Sequence, residues 1–185
     1  MEKEQEMKFA LDAGHGSKTG AAENGLVEDD VALDMVKRIG HHLRLAGHET
    51  VCTRSNKKLV ALSRRGRIAI DAGCRMFISI HCNAGPSTAR GVEGFVAEGD
   101  KRSAGLAKHI VGRIAKLGMK NRDVKWDSQS QHSRLRVLRD TYKHMPAVLL
   151  EVGFLTNPND AKLLSNPQFK ERMAQAIAAE MIAGI

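Results

Sequence analysis

The sequence predicts an α/β protein: one domain built on a twisted, mostly parallel central sheet of about six strands, with helices on both faces. Three observations carry this reading. Short apolar runs of strand length alternate with segments whose apolar residues recur every three and four positions. Glycines and polar clusters punctuate the junctions between them. The 185 residues can bury one core without disulfides or a structural metal, and no linker, repeat or low-complexity stretch divides them.

Taken in order, residues 1–7 read as a charged, flexible N-terminus. Lys8 to Ala13 reads as a strand that stops at Gly14-His15-Gly16, before a polar loop reaching Val27. Glu28, Asp29 and Asp30 open a helix at the end where the helix dipole favours acids. Its apolar positions Ala32, Met35, Val36, Ile39, Leu43 and Ala46 form one stripe, and Gly47 ends it. His48 to Thr53 is a second strand, Leu59 to Ala72 a helix closed by Gly73, and Arg75 to His81 a third strand carrying Phe77, Ile78 and Ile80. Val92 to Ala97 follows as a strand and Lys101 to Leu117 as a helix capped by Gly118. Met119 to Ser133 is polar and reads as irregular, with strands at Leu135–Leu138 and Ala147–Val152. A short helical turn at Pro158–Leu164 precedes a last amphipathic helix, Pro167–Ile182, whose Met173, Ile177, Met181 and Ile182 share one stripe and so mark core packing.

Composition narrows the class. No apolar run approaches the roughly 20 residues of a membrane helix, so no transmembrane segment is expected. Cys52, Cys74 and Cys82 are odd in number and suit neither a disulfide framework nor a zinc ribbon, which points to free thiols in a reducing compartment. The first residues lack a secretory pattern, so synthesis and accumulation in a cytoplasm are expected, although an excised secreted domain would look the same. A net charge of +8 implies attraction to something anionic. Sparse aromatic residues and scattered basic ones argue against specific nucleic-acid binding.

In open α/β sheets ligands gather beyond the carboxyl ends of the strands. His15 follows the first strand, His81 ends the third and Glu151 ends the last, while Glu28 stands at the mouth of the first helix. Two histidines and one glutamate with an open position form a known catalytic zinc set, in which the pKa of bound water falls to about 7. A second glutamate then serves as base. Which of Glu28 and Glu151 binds and which takes the proton stays open at this level, because strand ends are placed only to within a few residues.

Four segments carry a resemblance: Leu11-Asp12-Ala13-Gly14-His15-Gly16, Gly25-Leu26-Val27-Glu28, Ser79-Ile80-His81-Cys82-Asn83, and Glu151-Val152-Gly153-Phe154-Leu155-Thr156-Asn157. In type, order and spacing the chain resembles the family 3 N-acetylmuramoyl-L-alanine amidases from about Lys8 to its C-terminus. The resemblance implies one zinc ion per chain held by His15, Glu28 and His81, with Glu151 as the general base that later returns its proton to the leaving L-alanine amine. It implies hydrolysis of the amide between the lactyl group of N-acetylmuramic acid and L-alanine in peptidoglycan. Arg65 matches a recurrent family arginine with a catalytic or supporting part, and Asn83 lines or supports the site. Ile70, Cys82 and the short loop Ser17–Asn24 depart from the family pattern without removing a ligand. No wall-binding module and no occluding helix between Glu93 and Leu138 is recognisable, so the likeness is to an open, endolysin-like catalytic domain of phage or prophage, acting on the wall after membrane permeabilisation. A monomer is expected, and the basic surface is read as attracting anionic wall polymers.

Plainer readings stand beside these. Glu28 could be only a first-turn acid, as Asp29 and Asp30 are taken to be, with Glu23 as the rival ligand on the same loop. His15 alone could be a turn residue and His81 a hydrogen-bonded core histidine. The Gly14 and Gly16 pair lacks the lysine of a phosphate loop. Glu151 after four apolar residues is harder to explain without chemistry, since burying a carboxylate is costly. Cys82 should point to the opposite face from His81, Asp12 is read as capping the following turn or, alternatively, as steadying a histidine ligand by a hydrogen bond, and His41, His42, His48, His109, His132 and His144 as surface or boundary residues. Alternative functions are a zinc amidase or peptidase acting elsewhere, and an inactive peptidoglycan-binding relic of the same fold.

Overall fold

Ala147 to Leu150 is apolar without alternation, as a strand must be when helices cover both faces of its sheet. In the computed structural model, which describes residues 6–184, this segment belongs to the strand β8 (Ala147–Phe154), inside a six-stranded sheet. The others are β1 (Lys8–Ala13), β4 (Glu49–Cys52), β5 (Met76–Asn83), β6 (Val92–Val96) and β7 (Asn121–Trp126), in the order β4-β1-β5-β8-β6-β7. Neighbours run parallel except β6 against β8. The expected fold class is therefore the observed one, with a single antiparallel junction.

One face carries the larger core. Leu11, Ile78, Ile80 and Leu150 of the sheet pack there with α1 (Glu28–Leu45), α3 (Lys101–Ala115) and α6 (Pro167–Ala183), whose Met35, Ile39, Ile110, Met173 and Ile177 are buried. The opposite face, with Ala10, Phe77 and Leu149, is covered by α2 (Leu62–Asp71) and α4 (Arg136–Thr141) through Ala69, Val137 and Leu138. The helix α5 (Pro158–Ser165) follows β8 and is capped by Asn157, whose side chain accepts from the Asn159 and Asp160 amides. Both faces are thus sealed, and only the strand ends are left for chemistry.

Two elements differ from the sequence reading. Met119–Ser133 is not irregular: it contains β7 and a 3-10 turn at Asp127–Gln129. As an edge strand β7 needs only one ladder partner, and Asp123 at φ 65° together with a register shift between Val92 and Gly94 disrupts the alternation that would announce it. Leu135–Leu138 is the entry to α4 rather than a strand; Val137, Leu138 and Thr141 are buried together, a helical spacing too short to separate from a strand by sequence.

The loop before α1 also holds a small hairpin, β2 (Ala22–Glu23) with β3 (Leu26–Val27), turned at Asn24-Gly25. Both turn residues have positive φ, the combination a type I′ turn demands and the reason Asn-Gly is its strongest sequence signal. Of the expected flexible terminus, residues 1–5 lie outside the described residues. Met7 packs against the larger core, and its carbonyl accepts from the Glu49 amide at 2.8 Å.

Candidate metal centre

The site lies at the carboxyl ends of β1, β5 and β8, on the side facing α2 and α4. Beyond β1 the ladder continues one step, with the Gly14 amide donating to the Ile80 carbonyl at 2.9 Å. The chain then turns at His15, whose φ of 60° is one that few non-glycine residues adopt without outside support. Two buried arginines supply it. Arg54 donates from Nε to the Ala13 carbonyl at 2.8 Å and from Nη2 to the Gly14 carbonyl at 2.6 Å. Arg65 donates from Nη1 to the Ala13 carbonyl at 2.6 Å and from Nη2 to the His15 carbonyl at 2.5 Å.

These guanidiniums are buried with counter-charges. Arg54 Nη2 is 2.6 Å from Asp29 Oδ1, and Arg65 Nη1 is 2.8 Å from Asp12 Oδ1. Asp12 also accepts from Thr53 Oγ1 and, at 2.6 Å, from Ser79 Oγ. It therefore ties β1 to β5, to α2 and to the segment after β4, and caps no turn. Asp29 is fully buried in its pairing with Arg54, not a solvated first-turn acid. Asp30 is exposed and pairs with Lys57.

Glu28, the first residue of α1, is 5% exposed and reaches both histidines. Its Oε1 is 2.9 Å from His15 Nε2 and 3.1 Å from His81 Nδ1. The Cys82 amide donates to the same oxygen at 3.1 Å, and the Ala21 amide to Oε2 at 3.0 Å. Burial works to raise the Glu28 pKa, but the hydrogen bonds with His15 and His81 outweigh it and hold the carboxyl well below the usual range. The ligand atoms of His15, Glu28 and His81 all lie within 4.8 Å of one another.

Glycine makes this convergence possible. A Cβ on Gly14 would sit 2.4 to 2.7 Å from three atoms of the His81 ring, and one on Gly20 would sit 2.7 Å from Glu28 Oε2 and 3.0 Å from the His15 ring. A neutral-imidazole pair and a carboxylate are the donor types a catalytic zinc ion takes, leaving a fourth position open. The residues present fit that ion.

Glu151 pairs in register with His81 across β5–β8 and with Glu93 across β8–β6, so all three side chains leave the sheet on the same face. Its Oε2 is shielded from solvent and has no hydrogen-bond partner among the described residues. Burial, and after it the charges of Glu28 and Glu93, pushes the Glu151 carboxyl well above the usual range. Glu93 has the opposite fate. Despite burial it is held low by Lys125 Nζ at 2.6 Å, Arg122 Nε at 2.9 Å and Asn83 Nδ2 at 2.6 Å. Asn83 thus supports the site through Glu93.

Of the residues singled out in the sequence, His15, Glu28, His81 and Glu151 come together. Arg65 lies beneath the His15 turn, touching backbone carbonyls and Asp12, and acts as a positioning residue. Glu23 is exposed on the hairpin and outside the cluster. Cys82 is buried in the larger core, opposite to His81 as strand alternation requires. His48, read as surface or boundary, is buried edge-on against Phe9 with ring centroids 5.4 Å apart. The sequence reading missed Arg54 and the burial of Asp29, since neither lies in a motif and their pairing spans 25 positions.

Residues 9–183 match the family model described as N-acetylmuramoyl-L-alanine amidase. The chain is 37% identical over 175 residues to the N-acetylmuramoyl-L-alanine amidase LytC of Bacillus subtilis, covering 90% of this chain and 33% of that protein. It is 38% identical over 184 residues to the endolysin of Bacillus phage SPP1, covering 95% of this chain and 64% of that one. It spans less than two thirds of either relative. The solved N-acetylmuramoyl-L-alanine amidase AmiC2 of Nostoc punctiforme superposes with a TM-score of 0.85 at 29% identity, over 96% of both chains. With the His-Glu-His cluster at its strand ends and a family match across nearly its whole length, this chain belongs to the N-acetylmuramoyl-L-alanine amidase family.

Proposed function

We propose that the chain is a zinc-dependent amidase that hydrolyses the bond between the lactyl carbonyl of N-acetylmuramic acid and the amine of L-alanine in peptidoglycan. The observation that carries this is the placing of Glu151, with an unpartnered oxygen, in register beside the His15, Glu28 and His81 cluster. A zinc ion held by those three residues supplies, when bound, a Lewis acid for the carbonyl and a lowered pKa for water. Glu151 takes the proton from the attacking water and delivers it to the leaving nitrogen, so the free L-alanine amine departs neutral. Arg54 and Arg65 fix the His15 turn, and Asn83, Lys125 and Arg122 hold the Glu93 charge away from full effect on Glu151.

The likeness to the endolysin of phage SPP1 supports a lytic role on the wall; one zinc ion per chain, a monomer and a cytoplasmic period before release are further parts of the proposal. The test is release of N-terminal L-alanine amines from purified peptidoglycan. New amines should appear with metal-loaded protein and be lost on chelation, and Glu151→Gln should cut the rate by at least about 100-fold while zinc still binds. Zinc binding without amine release by the native protein would mean another acyl substrate; failure to bind zinc would overturn the metal centre.

A further inference from the structure

The outer surface of α3 carries Lys101, Arg102, Lys108 and Arg113 and no acid within the helix. Lys101 and Arg102 occupy its first turn, where the helix dipole repels cations, and only the N-cap Asp100, committed to Ser103, stands near. Neither Lys101 nor Lys108 has an ion-pair partner among the described residues, and both are exposed. Gly105 and Gly112 lie on this same surface with open space where a Cβ would be. Each is unfavourable in a helix by about 1 kcal/mol against alanine, with no packing contact to explain it. Their effect is to leave a trough between the cations.

The trough is real in volume. A cavity of about 410 Å³ is lined by Lys101, Gly105 and Lys108 of α3 and by Lys125 and Trp126 of β7. A second, of about 330 Å³, shares Lys108 with it and is lined by His109, Gly112, Arg113 and Lys116 of α3 and by Glu180 of α6. Arg113 is turned toward Glu180 at 2.7 Å and Lys125 toward Glu93, and Lys101, Lys108 and Lys116 have no ion-pair partner among the described residues. From Lys101 to Lys116 the groove runs about 22 Å at 1.5 Å per residue.

From this groove we infer a binding site for a linear phosphodiester polymer of sugar or polyol units, of the kind attached to cell walls. Spaced ammonium groups suit successive phosphates, and Trp126, the chain's one tryptophan, offers an apolar face to the carbon skeleton between them. A single aromatic is too few for a nucleic-acid stacking platform. A membrane would call for exposed apolar side chains, and Leu45, Leu59 and Leu62, the large exposed ones, lie on other elements. The groove runs along α3 and the edge strand β7, where Lys125 is also paired with Glu93, while the His15, Glu28 and His81 cluster stands beyond the ends of β1 and β5; none of its three residues lines the groove. The choice of a wall polymer rests on the peptidoglycan reading; the groove itself does not.

Trp126 gives a direct readout. Titrating the protein with purified poly(glycerol phosphate) should change tryptophan fluorescence saturably, with binding lost at high salt. Lys101→Glu with Lys108→Glu should weaken it about tenfold or more. Lys37→Glu with Lys162→Glu, which lowers net charge equally on exposed parts of α1 and α5, should leave it within about twofold. Equal weakening by both pairs, or no fluorescence change, overturns the groove. Tighter binding of a DNA duplex or of phosphatidylglycerol vesicles than of the polymer overturns the polymer class. Amine release from soluble muramoyl peptides should be unchanged in both pairs, so failure of the amidase reading shows up in that assay alone.

Discussion

Gly14→Ala is a small change with a calculable consequence. Gly14 has no positive φ, so alanine brings no backbone strain of its own, and the whole effect comes from one methyl group. That methyl would lie 2.4 Å from His81 Cε1, 2.5 Å from Nε2 and 2.7 Å from Nδ1. Ordinary contact begins at 3.4 Å, so the imidazole must move by about 1 Å, and His81 Nδ1 then leaves its 3.1 Å approach to Glu28. The ring stands at the open end of β5 and can swing outward, so global stability should fall only by about 1 kcal/mol, at the low end of overpacking costs. Zinc affinity should fall by about 10- to 100-fold, and amide hydrolysis at limiting zinc by at least as much. Competition with a chromophoric chelator reads the affinity, urea unfolding the stability, and L-alanine release the activity. A Gly14→Ala protein that binds zinc and turns over like the parent would refute the placement of His81 against Gly14, and with it the reason for glycine in the motif. Loss of 4 kcal/mol or more of stability would refute the claim that the methyl acts on the site rather than on the fold.

Other outcomes follow from the same structure. Arg65→Met should destabilise by about 3 to 5 kcal/mol, because it leaves the buried Asp12 carboxylate without its cation; a urea-unfolding cycle with Asp12→Asn should recover part of that loss, and strict additivity would count against the pair. Burial alone would raise the Asp34 pKa, but the hydrogen bond and charge of Lys170, with Arg38, bring it below the ordinary value. Its stabilising effect is therefore present above the unfolded carboxylate pKa and lost as pH falls through the lower folded one. The pair is partly exposed, so Asp34→Asn should cost under about 1 kcal/mol at pH 7, and its difference from the parent should shrink in urea titrations as pH falls below the ordinary aspartate range. Burial raises the thiol pKa of all three cysteines, that of Cys74 to about 11 and that of Cys82 well above its ordinary value. Ellman's reagent at pH 8 should therefore find at most the half-buried Cys52 in the native protein and all three after unfolding.

The sequence alone determined the class of fold and the chemical identity of the site. Helix stripes and apolar strands encode their own periods locally, and the polar residues His15, His81 and Glu151 stand out because each ends an apolar run. It failed where local pattern is weak or shared: β7 pairs on one side only and is broken by a bulge, and α4 is too short to show its period. The Asn24-Gly25 hairpin is signalled only by its turn chemistry, since strands of two residues are too short to show an alternation. Tertiary structure alone decided the rest, since it depends on which distant residues meet. Only the sheet order brings Glu93, Glu151 and His81 into one row, and only the folded chain shows Asp29 buried against Arg54 and Asp12 against Arg65. A buried charge is stable only when its partner arrives with it, and that partner lies 25 positions away for Asp29 and 53 for Asp12, beyond the reach of any local pattern.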